Sequence, residues 1–315
     1  MRDQPAARVY AVVGPTATGK SDLAEIIAAR LGGEIVSADS MQVYRGMDVG
    51  TAKVPADERH VPYHCLDMVE PGEPYSAARY QRDAREAIDG ILARNGVAVM
   101  CGGTGLYVRA ALDEMDFPSG EQEANQVRER YQRLAEEVGA EGLHDELRRR
   151  DPESAQLIHP HNVRRVIRAL ELLDEGRTTY ARQHEGLWVF RPRYDARYVG
   201  LTMDREALYQ RINRRVDLMV NGGLADEIRR LVEAGFAQAL TAPQAIGYKE
   251  LVGPVMLGQG TGDPDFDAGV EQIKTASRRY AKRQLTWFSK DPRITWFSRD
   301  PNDRDSLARI ADQVC

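Results

Sequence analysis

Apolar residues first gather in an unbroken run, Val9 to Val13. After a polar, glycine-bearing break they return as Leu23, Ile26, Ile27 and Leu31 at helical spacing. A short continuous apolar strand followed by a helix of period 3.6 marks a parallel sheet buried on both faces. The alternation recurs. Glu34 to Ala38 and Gly96 to Met100 read as further strands, and Arg197 to Thr202 followed by the helix Arg205 to Val220 restores the pattern later in the chain. Helical periodicity then marks Leu224 to Ala234, Ala245 to Leu257 and Val270 to Lys290, ahead of a strand at Ile294 to Phe297 and a last helix from Asp305 to Val314. Gly258 to Pro264 is turn-rich.

One stretch interrupts this order. From Asp116 to about Gly186 the sequence is helical, at Val127 to Val138, Leu143 to Arg150 and Asn162 to Glu175. In the last of these, Val163, Val166, Ile167, Leu170 and Leu173 form an apolar stripe, while Arg164, Arg165 and Arg168 share a cationic flank. The expected architecture is a mixed α/β core made of residues 1–115 and 190–315, interrupted by an all-helical insertion at 116–189.

The break after the first strand carries chemistry. Gly14-Pro15-Thr16-Ala17-Thr18-Gly19-Lys20-Ser21 fits G-x-x-x-x-G-K-[ST], and its setting between strand and helix is the one this phosphate-binding loop requires. The sheet is therefore expected to be P-loop NTPase-like. Glycines let backbone N–H groups converge on anionic oxygens, the next helix directs its positive end there, and Lys20 adds a mobile charge. Ser21 is placed to offer its hydroxyl to Mg2+.

Residues just beyond a strand's carboxyl end face the ligand crevice of an open parallel sheet, which puts Asp39 beside the phosphate loop. A phosphate-loop hydrolase usually carries a second acid after a later strand. Here that strand runs into Cys101-Gly102-Gly103-Thr104-Gly105-Leu106-Tyr107, with no carboxylate. This argues against a nucleotide-driven motor or switch and suits Asp39 to taking a proton from an acceptor. Asp39 can also cap its own turn.

Composition sets limits without naming a function. The 315 residues, 42% hydrophobic, can bury a sizeable core. Cys65, Cys101 and Cys315 show no metal-ligand spacing and suit a reducing cytoplasm. No apolar stretch approaches the roughly 20 residues that span a bilayer, and Met1 to Arg8 lacks an apolar signal core. A monomeric cytoplasmic protein is expected. The formal charge of −5 does not preclude RNA binding, because a local basic patch can act while acidic surface elsewhere sets the total.

Five blocks carry a resemblance: Gly14 to Ser21, Asp39 to Lys53, Gly102 to Tyr107, Ile246-Gly247-Tyr248-Lys249-Glu250 and Lys282-Arg283-Gln284-Leu285-Thr286-Trp287-Phe288. In this order, across nearly the whole chain, the sequence resembles the tRNA dimethylallyltransferases, also called tRNA isopentenyltransferases. The resemblance implies transfer of a dimethylallyl group from dimethylallyl diphosphate to N6 of the adenosine 3′ of the anticodon. The phosphate loop then holds a diphosphate leaving group with Mg2+, and Asp39 acts as general base.

Further roles follow from the same resemblance. Thr16 contacts the diphosphate oxygen near the allylic carbon, Thr104 lies near the target base, and Arg215 grips the diphosphate. Arg211 and Arg214 are expected to solvate their helix or meet RNA phosphates. The helical insertion is expected to grip the anticodon stem-loop, with Arg128, Arg164, Arg165, Val166, Ile167 and Arg168 on its tRNA surface and Arg148 to Arg150 as possible additions. In the core, Asp39, Ser40, Met41, Gln42, Thr104, Gln244, Tyr248, Lys249, Lys282 and Arg283 are expected toward tRNA. Lone Cys315 supplies no tetrahedral zinc set, so a bacterial-type chain is expected. A small-molecule kinase and an isopentenyltransferase acting on free adenine nucleotides would use the same loop and acid. Arginines on an inserted helical domain favour a larger substrate.

Overall fold

A computed structural model describes residues 8–117, 126–176, 178–236, 239 and 241–315. It divides into two compact units, Met1–Met115 with Pro192–Cys315, and Asp116–Arg191.

The first unit holds the strands β1 (Val9–Val13), β2 (Glu34–Ser37), β3 (Tyr63–His64), β4 (Ala98–Gly102), β5 (Ala196–Thr202) and β6 (Ile294–Ser298). They form one sheet in the order β3-β2-β4-β1-β5-β6, with every neighbouring pair parallel. Its early helices are α1 (Lys20–Leu31), α2 (Ala77–Ala93) and α3 (Gly105–Leu112). The second unit supplies α4 (Gln126–Arg150), α5 (Pro152–Leu157), α6 (Val163–Glu175) and α7 (Tyr180–Gly186). The first unit resumes with α8 (Arg205–Asn221), α9 (Leu224–Glu233), α10 (Val252–Met256), α11 (Pro264–Phe288) and α12 (Ser306–Val314).

All five residues of β1 are buried, and its side chains alternate between two cores. Val9, Ala11 and Val13 pack with α2 and α3, whose Tyr80, Ala84, Ile88, Val108 and Leu112 lie on that face. Tyr10 and Val12 pack with Leu23 and Ile27 of α1 and with Leu307, Ile310 and Val314 of α12. Because all the strands run parallel, the loops leaving β1, β2, β4 and β5 all emerge at one edge of the sheet. Among the described residues, no helix is long and apolar enough to cross a membrane.

Several boundaries differ from the sequence reading for local reasons. Residues 245–257 are not one helix: Ala245 is extended and Gly247 sits at φ 103°, and the α-helix is confined to Val252–Met256. The long helix α4 is broken at Gly139 (φ 74°, ψ 177°), between the two helical segments expected there. α11 starts at Pro264, where a missing N–H costs nothing. The helix α2 was not anticipated, although Tyr80, Ala84, Ile88 and Ile91 line its buried face at helical spacing.

The second unit has its own core, built from Tyr131, Leu143, Leu147, Val166, Ile167 and Leu170. Val166 (0% exposed) and Ile167 (6%) are therefore packing residues, which corrects their expected place on an RNA-facing surface. They belong to the apolar stripe that holds α6 against α4.

One buried carboxylate shapes the loop after β2. Glu227 of α9 accepts hydrogen bonds from the N–H groups of Asp48 (2.9 Å), Val49 (2.7 Å) and Gly50 (3.0 Å), and from the Tyr248 hydroxyl (2.7 Å). A side chain at Gly50 would meet the Tyr248 ring at 2.6 Å, so only glycine fits. Glu227→Ala strips one buried and three partly buried donors of their acceptor. We expect a loss of at least about 3 kcal/mol in denaturant unfolding, seen as a lower midpoint at unchanged slope.

Candidate active site

The residues 14–21 form the turn between β1 and α1. Gly19 takes the left-handed conformation at the helix N-cap (φ 94°), and Ala17 shares it without being glycine (φ 65°). This strained turn is held from several sides. Thr18 Oγ1 donates to Pro15 O (2.9 Å), Arg211 Nε to Ala17 O (2.9 Å) and Arg299 to Thr18 O (3.0 Å). Arg211 thus supports the phosphate loop directly, contrary to the expectation that it solvates its helix. Arg299 follows β6 and escaped the sequence reading, although a residue just past a strand's carboxyl end belongs to this edge.

Two cavities meet here. The first, of about 670 Å³, is lined by Gly19, Lys20, Ser21, Asp22, Arg211, Arg214 and Arg215, with Val49, Leu218 and Met219 as an apolar flank. The second, of about 460 Å³, includes Thr16, Asp39, Ser40, Met41, Gly50, Thr51, Arg215 and Tyr280 in its lining, with an apolar wall from Ile212, Val216, Met219 and Ile273. Arg215 and Met219 belong to both.

Among the described residues, Lys20 and Arg215 answer only neutral oxygens. Lys20 Nζ donates to Pro15 O (2.7 Å), and Arg215 donates to Thr16 Oγ1 (2.9 Å) and Thr51 O (3.1 Å). Among the described residues neither forms a salt bridge. Burial, aided by the nearby Arg215 charge, pushes Lys20 down to about 8, and burial also lowers Arg215. Both keep a partly exposed surface toward the cavity. Asp39 is near enough for its charge to counter both shifts, which ties the acid to the phosphate loop.

Asp39 leaves β2 in a turn closed by its own side chain, with Oδ1 accepting from Met41 N–H (2.9 Å). The capping role and the cavity position coexist. Thr104 occupies the N-cap position of α3, yet its hydroxyl does not cap that helix. Instead Thr104 Oγ1 accepts from Ser40 N–H (3.0 Å) and faces Ser40 Oγ at 3.3 Å. Gln42 is spent internally, accepting from Ser37 Oγ (3.0 Å) and donating to Thr51 O (3.3 Å).

Of the residues expected toward RNA in this unit, Gln244, Lys249 and Arg283 line the second cavity and Lys282 is exposed. Tyr248 is the exception. It is 0% exposed and bonded to Glu227, so it supports the loop from within and cannot touch RNA here. In the second unit Arg164 and Arg165 are exposed, whereas Arg128 and Arg168 bond the buried Glu171 (2.6 and 3.2 Å). Arg148, Arg149 and Arg150 pair with Asp145, Glu146 and Asp174.

The parallel sheet and its phosphate loop define a P-loop-like protein of the mixed α/β class. A family model described as IPP transferase matches residues 42–291, and one described as isopentenyl transferase matches residues 7–60. A tRNA dimethylallyltransferase from Geobacillus kaustophilus is 48% identical over 90% of this chain and 88% of its own. One from Carboxydothermus hydrogenoformans is 43% identical over 98% and 96%. Among solved structures, a tRNA delta(2)-isopentenylpyrophosphate transferase from Staphylococcus epidermidis matches with TM-score 0.67 at 40% identity, covering 97% of each chain. A eukaryotic dimethylallyltransferase acting on tRNA matches with TM-score 0.77 at 26% identity, covering 97% of this chain and 78% of the other. The chain belongs to the IPP transferase family, a family of prenyl-transferring enzymes that generally use a divalent metal.

The depressed Lys20 pKa has a measurable sign. Its folded value of about 8 lies below the ordinary 10.5, so the unfolded chain holds more proton between these values and the group's contribution to stability rises with pH across that window. An anion beside Lys20 restores the charge. Diphosphate binding at pH 8 should take up roughly half a proton more in the parent than in Lys20→Met, read by calorimetry in buffers of different ionisation enthalpy. Equal uptake in both proteins would count against Lys20 meeting the anion.

Proposed function

We propose that this chain transfers the dimethylallyl group of dimethylallyl diphosphate to N6 of the adenosine 3′ of the anticodon in tRNA, releasing diphosphate. The observation that carries this reading is the shared lining of the two cavities. Asp39, Thr16 and Arg215 line one, Arg215, Lys20 and Ser21 line the other, and an apolar wall runs beside the junction. An acid, an anion grip and room for a small apolar group therefore adjoin.

The chemistry follows from this arrangement. Lys20, Arg215 and the loop amides receive the diphosphate, and Thr16 stands beside Arg215 where the bridging oxygen would lie. The N6 lone pair forms a bond to the allylic carbon, the carbon–oxygen bond breaks with its electrons leaving on diphosphate, and the N6 proton passes to Asp39. Met41 N–H holds one Asp39 oxygen, leaving the other to accept that proton. Charge growing on the departing diphosphate meets cations already desolvated and fixed, which is the condition under which electrostatic stabilisation is largest.

Among the described residues, no cluster of three or more His, Cys, Asp or Glu side chains gathers to hold a metal ion. Ser21 lines the cavity with Lys20, and a hydroxyl together with water and diphosphate oxygens is a donor set that suits Mg2+. Bound there, Mg2+ would neutralise charge on the leaving group.

The adenine must leave its stack to reach Asp39. Gln244, Lys249 and Arg283 line the same cavity and would receive it, with exposed Lys282 close by in sequence. In the second unit, exposed Arg164 and Arg165 are the first choice for stem-loop phosphates, because Arg128 and Arg168 are engaged by Glu171. The reading places a monomer at work in the cytoplasm.

Incubation with magnesium and labelled dimethylallyl diphosphate should put label into unmodified tRNA but not into AMP. A parallel reaction should show no ATP turnover. Label in AMP, or ATP turnover, would overturn the assignment. Asp39→Ala should lower transfer by at least about 100-fold at near-parental tRNA affinity. Arg164→Ala with Arg165→Ala should weaken tRNA binding and flatten its salt dependence by up to about two in log–log slope, as filter binding at several salt concentrations would reveal.

A further inference from the structure

We infer that Gln284 is a positioning residue that couples the grip on the diphosphate to the placement of Asp39 and the base, a role that rests on the function proposed above. Gln284 lies on α11 and is 5% exposed. Its Oε1 accepts from Thr16 N–H (2.8 Å), and its Nε2 donates to Gly103 O (3.0 Å). One planar amide thus ties the turn after β1 to the turn after β4.

Each end of this tie continues into the site. On one side, the Thr16 amide is held by Gln284 while its hydroxyl accepts from Arg215, so the amide fixes where that hydroxyl stands. On the other side, Gly103 precedes Thr104, whose Oγ1 accepts from Ser40 N–H and so anchors the turn that carries Asp39. A side chain at Gly103 would collide with Gln284 Nε2, so the contact is close by construction. Tyr280, one turn earlier on α11, lines the cavity near enough to interact with both Thr104 and Gln284. Burial, reinforced by the Asp39 charge, pushes its phenol up to about 12, so it stays neutral at working pH.

The chemistry of the side chain decides the substitutions. A primary amide offers an acceptor and a donor at once. Leucine keeps most of the volume and supplies neither, whereas glutamate keeps the acceptor for Thr16 and loses the donor to Gly103. Gln284 is absent from the lining of both cavities, so it acts through its neighbours.

The test uses the full chain with magnesium, dimethylallyl diphosphate and unmodified tRNA. Gln284→Leu should lower kcat by roughly ten- to a hundredfold with the KM for tRNA within about twofold, because misplacing reacting groups costs rate before it costs capture. Gln284→Glu, which keeps the acceptor for Thr16 but sets a carboxylate oxygen against Gly103 O, should also lower kcat, and it keeps the question open to measurement if the Leu variant fails to fold. Combined with Thr104→Ala, either variant should lose less than the product of the two single losses, as residues acting in one network do. An unchanged kcat in both variants, or fully multiplicative losses, would overturn the coupling while leaving the proposed activity standing. A parent protein with no transfer at all would sink the activity itself.

Discussion

Two desolvated cations, with no acid bonded to them among the described residues, set the terms for everything else at this edge of the sheet. Among the described residues, Lys20 and Arg215 bond carbonyl and hydroxyl oxygens only, and burial weakens the charged form of each. Such a pair is costly unless the fold forces it and a ligand rewards it. The forcing is visible. β1 is buried on both faces and cannot shift, and α1 begins where the strained turn at Ala17 and Gly19 allows.

The loops around this charge are held by a few polar side chains as well as by apolar packing, in which Val43, Tyr44 and Met47 of the loop after β2 are buried. Glu227 takes three successive N–H groups of the loop after β2, and Arg299 and Arg211 take carbonyls of the phosphate loop. Arg299 retains a buried Nε with no partner among the described residues, a sign that its position answers to the loop more than to its own comfort. Loops held in this way keep their shape without a ligand, which is what preorganisation requires.

The sequence made some of this legible and hid the rest. Strand and helix periods located β1, α1, β5, α8 and the helical insertion, because one-dimensional spacing is what those elements depend on. The phosphate loop and Asp39 were legible for a related reason: each directly follows a strand, and topology alone sends it to the crevice. Tyr248, Val166 and Ile167 were misread as surface because a motif block says which residues recur together, not which of them face solvent. Arg299 and Gln284 were missed as site residues because their partners are 281 and 268 residues away, a distance no local period encodes. Glu227, likewise, looks like any acidic residue in the first turn of a helix until the loop it holds is seen.

The sheet-bearing unit closes on itself at the point where the chain departs for its helical excursion. Asp113 bridges to Pro192, and Arg193 N–H donates to Leu112 O (2.9 Å), so the outgoing and returning backbones are stitched together before the excursion begins. The intervening segment is spliced in at a single seam, and no strand of the sheet depends on its length. The length of that segment can therefore change without moving the strand ends that carry the phosphate loop and Asp39.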